Sequence, residues 1–226
     1  MNLSPLLILL AMQQPPPPTG LIGLPDEGVL LSGSPAAPIL VNNTNRRIIG
    51  YTIRYINTSG PSINDTQLAL LRIHHYTGES PLVIQPQTER SVPSSGRTIV
   101  AGVKDPSVPI QAILDAVIFD DGEVVGPDIT HTLERVQVHI QAEHDIHQKA
   151  RAAHGLTGNA KQAAWDEIYR LSIQDPSGEG NSLNVQYMQR TAANELLEVR
   201  ERLGDDSAFE LAKGSLKYPT LWRKQQ

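Results

Sequence analysis

Gly126-Pro127-Asp128 separates two different hydrophobic patterns in this chain. Before it, from about Pro38, apolar residues come in short β-branched runs with a period near two, which is typical of strands. After it, apolar residues recur every three or four positions, which is typical of helices. Strands followed by helices, rather than interleaved with them, predict a segregated α+β fold. This order argues against a nucleotide-binding α/β enzyme.

The region 38–128 is predicted to form an antiparallel β-sandwich. Ile49, Tyr51 and Ile53 alternate with small or polar residues, which indicates a half-buried strand. The strongest apolar run, 110–119, meets 123–125 across an Asp-Gly pair that favours a tight hairpin turn. Further strands are predicted at 39–41, 67–76, 82–84 and 97–103. Short strands at about ten-residue spacing are typical of a sandwich.

Two segments of this region form a strand-loop-strand unit. They read Pro38-Ile39-Leu40-Val41-Asn42-Asn43-Thr44 and Ile49-Gly50-Tyr51-Thr52-Ile53. With this unit, residues 36–127 resemble the immunoglobulin-like or fibronectin-type domains of secreted bacterial proteins. The resemblance implies an immunoglobulin-like sandwich, and it implies no activity.

Three helices are predicted in the region 129–226, as a C-terminal extension of the sandwich. The first covers about 130–153, the second about 160–173 and the third about 183–203, and glycines follow the first and third. The remainder predicts one short helical turn and an irregular tail. The third helix carries a narrow apolar stripe of Val185, Met188, Ala192, Leu196, Val199 and Leu203. Because the stripe is short for a coiled coil, packing onto a neighbouring element is favoured, and a helix of another subunit is the alternative.

The N-terminal residues indicate export. The apolar run 6–12 is too short to span a bilayer, which needs about 20 helical residues, so no integral membrane span is expected. Its length is that of a signal-peptide core, and residues 1–14 are a candidate signal peptide, with a disordered or packed tail as the alternative. Residues 15–37 are rich in Pro and Gly and predict an extended linker. A secreted or periplasmic location is expected, with the cytoplasm as the alternative.

Composition excludes several classes of function. The formal net charge is −5 with Lys and Arg scattered, whereas nucleic-acid binding needs clustered cations. The chain has no cysteine, which rules out disulfides, thiolate nucleophiles and Cys-type zinc sites. No nucleophile signature such as G-x-S-x-G occurs in the sequence. We therefore expect no nucleic-acid partner, no catalytic residue and no cofactor.

The predicted first helix carries a histidine cluster, His131, His139, His144, His147 and His154. His139, Glu143 and His147 are candidate metal ligands, because residues four apart are neighbours on a helix surface. Their spacing is not that of H-E-x-x-H, and no further ligand is evident, so the sequence predicts no metal site. The favoured interpretation is a helix that leaves the domain body, with its apolar face becoming solvated. A pH-responsive contact is a further alternative.

Several carboxylates lie close to the change of pattern. Asp115, within the run 110–119, is either a buried candidate for catalysis or a residue that faces solvent from an edge strand. Asp120, Asp121, Glu123 and Asp128 could bind calcium weakly, although turn chemistry also explains them.

These observations predict a non-enzymatic, exported bacterial protein that acts as an interaction or structural module. Its partner is expected to be a protein or a second copy, bound through the helical region. One alternative is a metal-dependent enzyme or metal sensor that uses His139, Glu143 and His147. Another is a subunit of an envelope assembly, joined through the stripe of the third helix.

Overall fold

In a computed structural model, the protein combines two β-sheets with four α-helices among the described residues, which is a mixed α+β fold. The structure describes residues 20–35, 37–57, 63–68, 83–92, 110–174, 185–214 and 219–223. The candidate signal peptide, the prolines 15–18 and the predicted strand at 97–103 lie outside the described residues.

The described strands are β1 (Gly20–Ile22), β2 (Val29–Ser34), β3 (Ala37–Asn42), β4 (Ile48–Asn57), β5 (Ile63–Leu68), β6 (Thr88–Ser91), β7 (Ile110–Phe119), β8 (Glu123–Val125) and β9 (Trp222–Arg223). The chain passes more than once between the two sheets, with β2, β3 and β6 in the smaller sheet and the other described strands in the larger one. The smaller sheet has the order β2-β3-β6 and is antiparallel throughout. Of the predicted strand at 82–84, the structure describes residues 83 and 84, and Ile84 forms an isolated bridge with Ile48.

β7 is the central strand of the larger sheet, whose order is β5-β4-β7-β8-β9. β4 pairs with β7 along one edge. On the other edge, β1 pairs with the first half of β7 and β8 with the second half. The pairs β1–β7 and β8–β9 are parallel, and both β1 and β9 lie outside the region 38–128 for which an antiparallel sandwich is predicted. The described strand pairs within that region are antiparallel.

Part of the predicted linker 15–37 belongs to the sheets instead. β1 and β2 both arise from it, and Val29 of β2 is fully buried. Gly23 lies between them, and a Cβ there would stand 2.8 Å from Cα of Leu30. This glycine therefore permits a close backbone approach, so its presence here does not mark a flexible spacer.

The larger sheet is covered on both faces. One face packs with the smaller sheet around a core that includes Leu40, Ile53, Leu114 and Phe119. The opposite face packs Ala116 and Ile118 against the first of the helices. Burial on both faces explains why 110–119 is an almost continuous apolar run rather than an alternating one.

The four helices follow the sheets. They are α1 (Thr132–His154), α2 (Gly158–Ile173), α3 (Val185–Leu203) and α4 (Asp205–Gly214). Helices occur at the three predicted positions. However, α4 forms where only a helical turn is predicted, so the predicted number of helices in the extension is wrong. α4 is stabilised by two acidic residues in its first turn and by the burial of Ala208, Leu211 and Ala212.

α1 connects the two parts of the molecule. Near its N-terminus, Val136 packs on the larger sheet together with the partly buried Leu133 and Ile140. Near its C-terminus, Ile146, Ala150 and Ala153 join a second core formed with α2, α3 and α4. The same helix therefore contributes to the apolar packing on one face of the larger sheet and to the core of the helices.

Candidate functional site

Glu143 and His147 lie in the interior, where α1 enters the helical core. Each side chain is 3% exposed, and Nδ1 of His147 lies 3.8 Å from Oε1 of Glu143. α1 contacts α2, α3 and α4 in this region. The prediction that this face of α1 is solvated is therefore wrong. The helix does not leave the protein body, because α2, α3 and α4 pack around it here.

His139 lies one turn before Glu143 and is partly buried. Burial lowers the pKa of His139, while the charge of Glu195 on α3 acts in the opposite direction. A lowered pKa keeps the imidazole neutral at neutral pH. Within the ranges that the structure describes, no three His, Asp or Glu side chains come together in a way that could hold a metal ion. His139, Glu143 and His147 are thus aligned on one helix without forming a group of three ligands.

The other histidines of the cluster are dispersed along α1. His131 is exposed and immediately precedes the helix, with a left-handed φ of 55°. His154, at the last residue, stacks on Phe209 of α4 with a centroid distance of 3.9 Å. The cluster in the sequence is therefore not a cluster in space.

Asp115 is fully buried in the central strand, and the prediction that it faces solvent from an edge strand is wrong. Its Oδ1 accepts a hydrogen bond from the N–H of Ile129 at 3.1 Å, and its Oδ2 accepts from the N–H of Thr130 at 2.9 Å. The hydroxyl of Thr130 also donates to Oδ2, at 2.6 Å. The carboxylate thus anchors the turn that leads into α1, which is a structural role.

Asp128 caps the same helix. Its Oδ1 accepts from the N–H of Thr132 at 2.6 Å, and its Oδ2 accepts from the N–H of Leu133 at 3.4 Å. These N–H groups have no partner within the first turn of a helix, and a carboxylate there also interacts favourably with the helix dipole. Thr132 donates in turn to Thr52 of β4 at 2.8 Å, which fixes the start of α1 on the sheet.

The remaining carboxylates of the candidate calcium cluster bind arginines. Arg47 donates to Asp120 at 2.8 Å, and Arg46 donates to Asp121 at 3.0 Å and to Glu123. The guanidinium of Arg46 also lies 3.6 Å above the ring of Phe119. Burial acts to raise the pKa of Asp121, but hydrogen bonds from the Glu123 N–H and from Arg46 outweigh it and lower that pKa.

A cleft of about 580 Å³ lies between α2, α3 and the first turn of α4. Its lining residues all belong to these helices, and they are Tyr169, Ser172, Ile173, Asn194, Leu197, Glu198, Arg200, Glu201 and Asp205. The floor is apolar, yet Tyr169 is 56% and Ile173 58% exposed to solvent. We refer to this feature as the α2–α3 cleft.

Asp205 and Arg200 hold one end of the cleft together. Asp205 pairs with Lys161 of α2 at 2.5 Å and with Arg200 of α3 at 2.7 Å. Hydrogen bonds from Lys161 and Arg200 lower the pKa of Asp205, and burial opposes them. Arg200 also lies 4.3 Å from the ring centre of Trp165, beneath the cleft. Both charges therefore serve the packing of the helices.

Glu198 and Glu201 make the rest of the rim acidic. Arg202 donates a hydrogen bond of 3.0 Å to the carboxylate of Glu198, and both side chains are largely exposed. Exposed pairs of this kind contribute little and exchange partners readily. Since Arg200 is held by Asp205 and Trp165, the cleft presents carboxylates to solvent around an apolar floor.

The apolar stripe of α3 does not form this surface. Ala192 and Leu196, in the middle of the stripe, are buried in the helical core of the same chain. This agrees with packing onto a neighbouring element and leaves the middle of the stripe inaccessible to another subunit. The neighbouring flank of α3, with Leu197 and Glu201, faces the cleft instead.

Tyr169 and Ile173 are not among the candidate residues that the sequence indicates. One signal could have found them: α2 buries Trp165 and Ile168 on one face, and Tyr169 and Ile173 follow as an i, i+4 pair beside that face. The apolar arc of α2 is therefore wider than its contacts with the helical core require.

No protein-family model, curated protein or solved structure shows a significant match to this chain. Among the helices that the structure describes, none has the length and apolarity needed to cross a bilayer.

Proposed function

We propose that the protein is a non-enzymatic, exported interaction module, and that it binds a partner protein through the α2–α3 cleft. The observation that carries this proposal is the exposure of Tyr169 and Ile173 on adjacent turns of α2, on the floor of an open cleft. Apolar side chains grouped in a concavity and bordered by polar residues are typical of protein interaction sites.

The contacts of the carboxylates near the start of α1 and in the hairpin between β7 and β8 favour a binding function over catalysis. Asp115 and Asp128 are committed to backbone N–H groups around the start of α1. Asp121 and Glu123 are committed to Arg46. A general base must be free to accept a proton from a substrate, and these carboxylates are already engaged in holding the fold. The metal-dependent alternative has less support, because the described residues bring no three ligands together.

The two sheets form the platform in this proposal. Their face-to-face packing, with β3 and β4 both contributing inward residues, supports the immunoglobulin-like sandwich suggested by the sequence. α1 then fixes the helical region to this platform through Thr132 and Val136. A module of this kind suits a subunit of an envelope assembly. Export is supported by the apolar run 6–12 followed by four prolines.

Site-specific photo-crosslinking in the producing cells tests the binding function. A photo-reactive phenylalanine analogue is placed at position 173, and in a control protein at position 129, where the isoleucine is equally exposed at 57%. We expect a discrete crosslinked product from position 173 and none from position 129. The absence of a product at 173, or the same products from both positions, would reject binding through the cleft. N-terminal sequencing of the protein from cell fractions tests export independently.

A further inference from the structure

We propose that the partner inserts a cationic amphipathic helix into the α2–α3 cleft. This inference rests on the proposed function and adds the chemistry of the partner. It follows from the shape of the cleft, from its apolar floor and from the sign of the charge on its rim.

The shape of the cleft favours a helix. Tyr169 and Ile173 line the cleft from α2, and Leu197 and Glu201 line it from α3, each pair four residues apart. Rows of side chains with this spacing leave a groove into which the ridges of another helix pack. Every lining residue is helical, so the cleft offers no strand edge to which an extended peptide could add.

The floor of the cleft requires apolar anchors on the partner. Tyr169 and Ile173 are more than half exposed, and Leu197 beside them is partly buried. A helix that places Leu, Ile or Phe at i, i+3 or i+4, and i+7 would cover these side chains along about two turns. Covering them removes apolar surface from water, which is the main favourable term in such an interface.

The rim requires positive charge beside those anchors. Three carboxylates and one guanidinium line the cleft, Glu198, Glu201, Asp205 and Arg200. The guanidinium is held by Asp205 at 2.7 Å and by the face of Trp165. Glu198 is paired with Arg202, but exposed pairs of this kind contribute little. Lys or Arg residues on the flanks of an incoming helix would therefore replace Arg202 beside Glu198 and meet Glu201, and their charges are complementary.

The same rim argues against other occupants. A symmetric dimer would bring Glu198 and Glu201 of two copies towards the same carboxylates, because a twofold interface repeats each surface on both sides. Nucleic acids and anionic lipid surfaces are likewise repelled by exposed carboxylates. A positively charged amphipathic helix is complementary both to the apolar side chains and to the carboxylates of the cleft.

The test uses the full chain and two fluorescein-labelled synthetic helical peptides. Both carry leucines at i, i+3, i+4 and i+7, and their flanking residues are lysines in one peptide and glutamates in the other. Fluorescence anisotropy at low and at physiological salt measures binding. We expect the lysine peptide to bind, with weaker binding as salt rises, and the glutamate peptide to bind at least about tenfold more weakly.

Matched variants locate the binding. Glu198→Lys combined with Glu201→Lys is expected to weaken the lysine peptide by about tenfold and to strengthen the glutamate peptide, whereas Glu134→Lys, an exposed charge reversal on α1, leaves both unchanged. Ile173→Ser is expected to weaken the lysine peptide, and Ile129→Ser is the equally exposed control. Circular dichroism of each variant verifies that the helices remain folded.

Three results would overturn the inference. They are equal binding of the two peptides, binding that the paired charge reversal leaves unchanged, and failure of both peptides to bind. A concentration-dependent dimer that Ile173→Ser disrupts would identify a second copy as the occupant and would also overturn it. Crosslinking of a partner at position 173 together with any of the first three results leaves the binding function intact and rejects only the cationic helix.

Discussion

The carboxylate of Asp115 shows how a single buried charge is accommodated in the central strand. It is fully buried, but it accepts hydrogen bonds from two N–H groups and one hydroxyl of the turn that precedes α1. The donors replace the water that the carboxylate loses on burial, which offsets the cost of burying a polar group. The local sequence shows its apolar neighbours, whereas its donors come from more than ten residues away.

Asp115→Ala is expected to destabilise the protein by about 3 kcal/mol, because it leaves buried donors without their acceptor. Asp115→Asn, which retains one acceptor oxygen, is expected to cost less. Urea denaturation followed by circular dichroism measures both. Asp26→Ala, at an exposed position in the loop between β1 and β2, is the control, with an expected change below about 0.5 kcal/mol. Equal midpoints for Asp115→Ala and the control would contradict the structural role.

The pair of Glu143 and His147 gives a second prediction at this scale. Both side chains are buried and lie 3.8 Å apart, so removal of either leaves the other in the interior without its neighbour. Glu143→Ala and His147→Ala are each expected to cost about 3 kcal/mol. The double variant should cost clearly less than the two single variants together, because neighbouring residues are not independent. Additive costs in a double-mutant cycle from urea denaturation would show that the two side chains do not interact.

Among the elements, α4 depends most on contacts with its neighbours. It is a short helix, and short helices are marginal in isolation. Asp205 begins it and binds Lys161 of α2 and Arg200 of α3, so one carboxylate links three helices. Ala208, Leu211 and Ala212 then bury the face of α4 against the same helices. The sequence of α4 alone is therefore a weak indicator of its formation.

The lowered pKa of Asp205 predicts a dependence of stability on pH. Hydrogen bonds from Lys161 and Arg200 hold the folded pKa below the ordinary value of 3.8, so the unfolded chain binds this proton more readily. The contribution is fully present above pH 3.8 and is lost as pH falls through the folded pKa. Its size is below about 1 kcal/mol, because solvent screens the pair. Asp205→Asn should reduce the loss of stability between neutral and acidic pH in urea denaturation, and an unchanged pH dependence would contradict this origin.

At the scale of the whole molecule, α1 joins two hydrophobic cores. Val136 contributes to the core on the outer face of the larger sheet, and Ile146 contributes to the core of the helices. The turn before α1 is also bound to Asp115 of the central strand, and the first residue of α1 is bound to Asp128. We expect the sheets and helices to unfold together, because loss of α1 exposes both cores.

The two tryptophans of the chain allow this expectation to be measured. Trp165 is buried in the helical core, and Trp222 lies on β9 at the edge of the larger sheet. In the variants Trp222→Phe and Trp165→Phe, the remaining tryptophan reports on one part of the molecule. In each variant, the urea midpoint from tryptophan fluorescence should coincide with the midpoint from circular dichroism of the same variant. Separate fluorescence and circular dichroism midpoints would show two independently folding units.

The sequence by itself determined the elements whose patterns are local. The change of period at Gly126-Pro127-Asp128, the strand at 110–119 and the three longer helices follow from apolar spacing and from glycines at helix ends, which need no distant partner. It also identified the residues that carry charge near this point, although not what they bind.

Only the tertiary structure decided the features that depend on distant neighbours. The parallel pairings place Gly20 of β1 beside Gln111 of β7 and Trp222 of β9 beside Glu123 of β8, and no local pattern specifies partners so distant in the chain. Glu143 and His147 became interior residues because three other helices surround that half of α1. The α2–α3 cleft likewise exists because α2 and α3 bury their other faces in a shared core and leave Tyr169 and Ile173 uncovered. Burial is a property of the assembled fold, and a sequence shows only which faces are able to be buried.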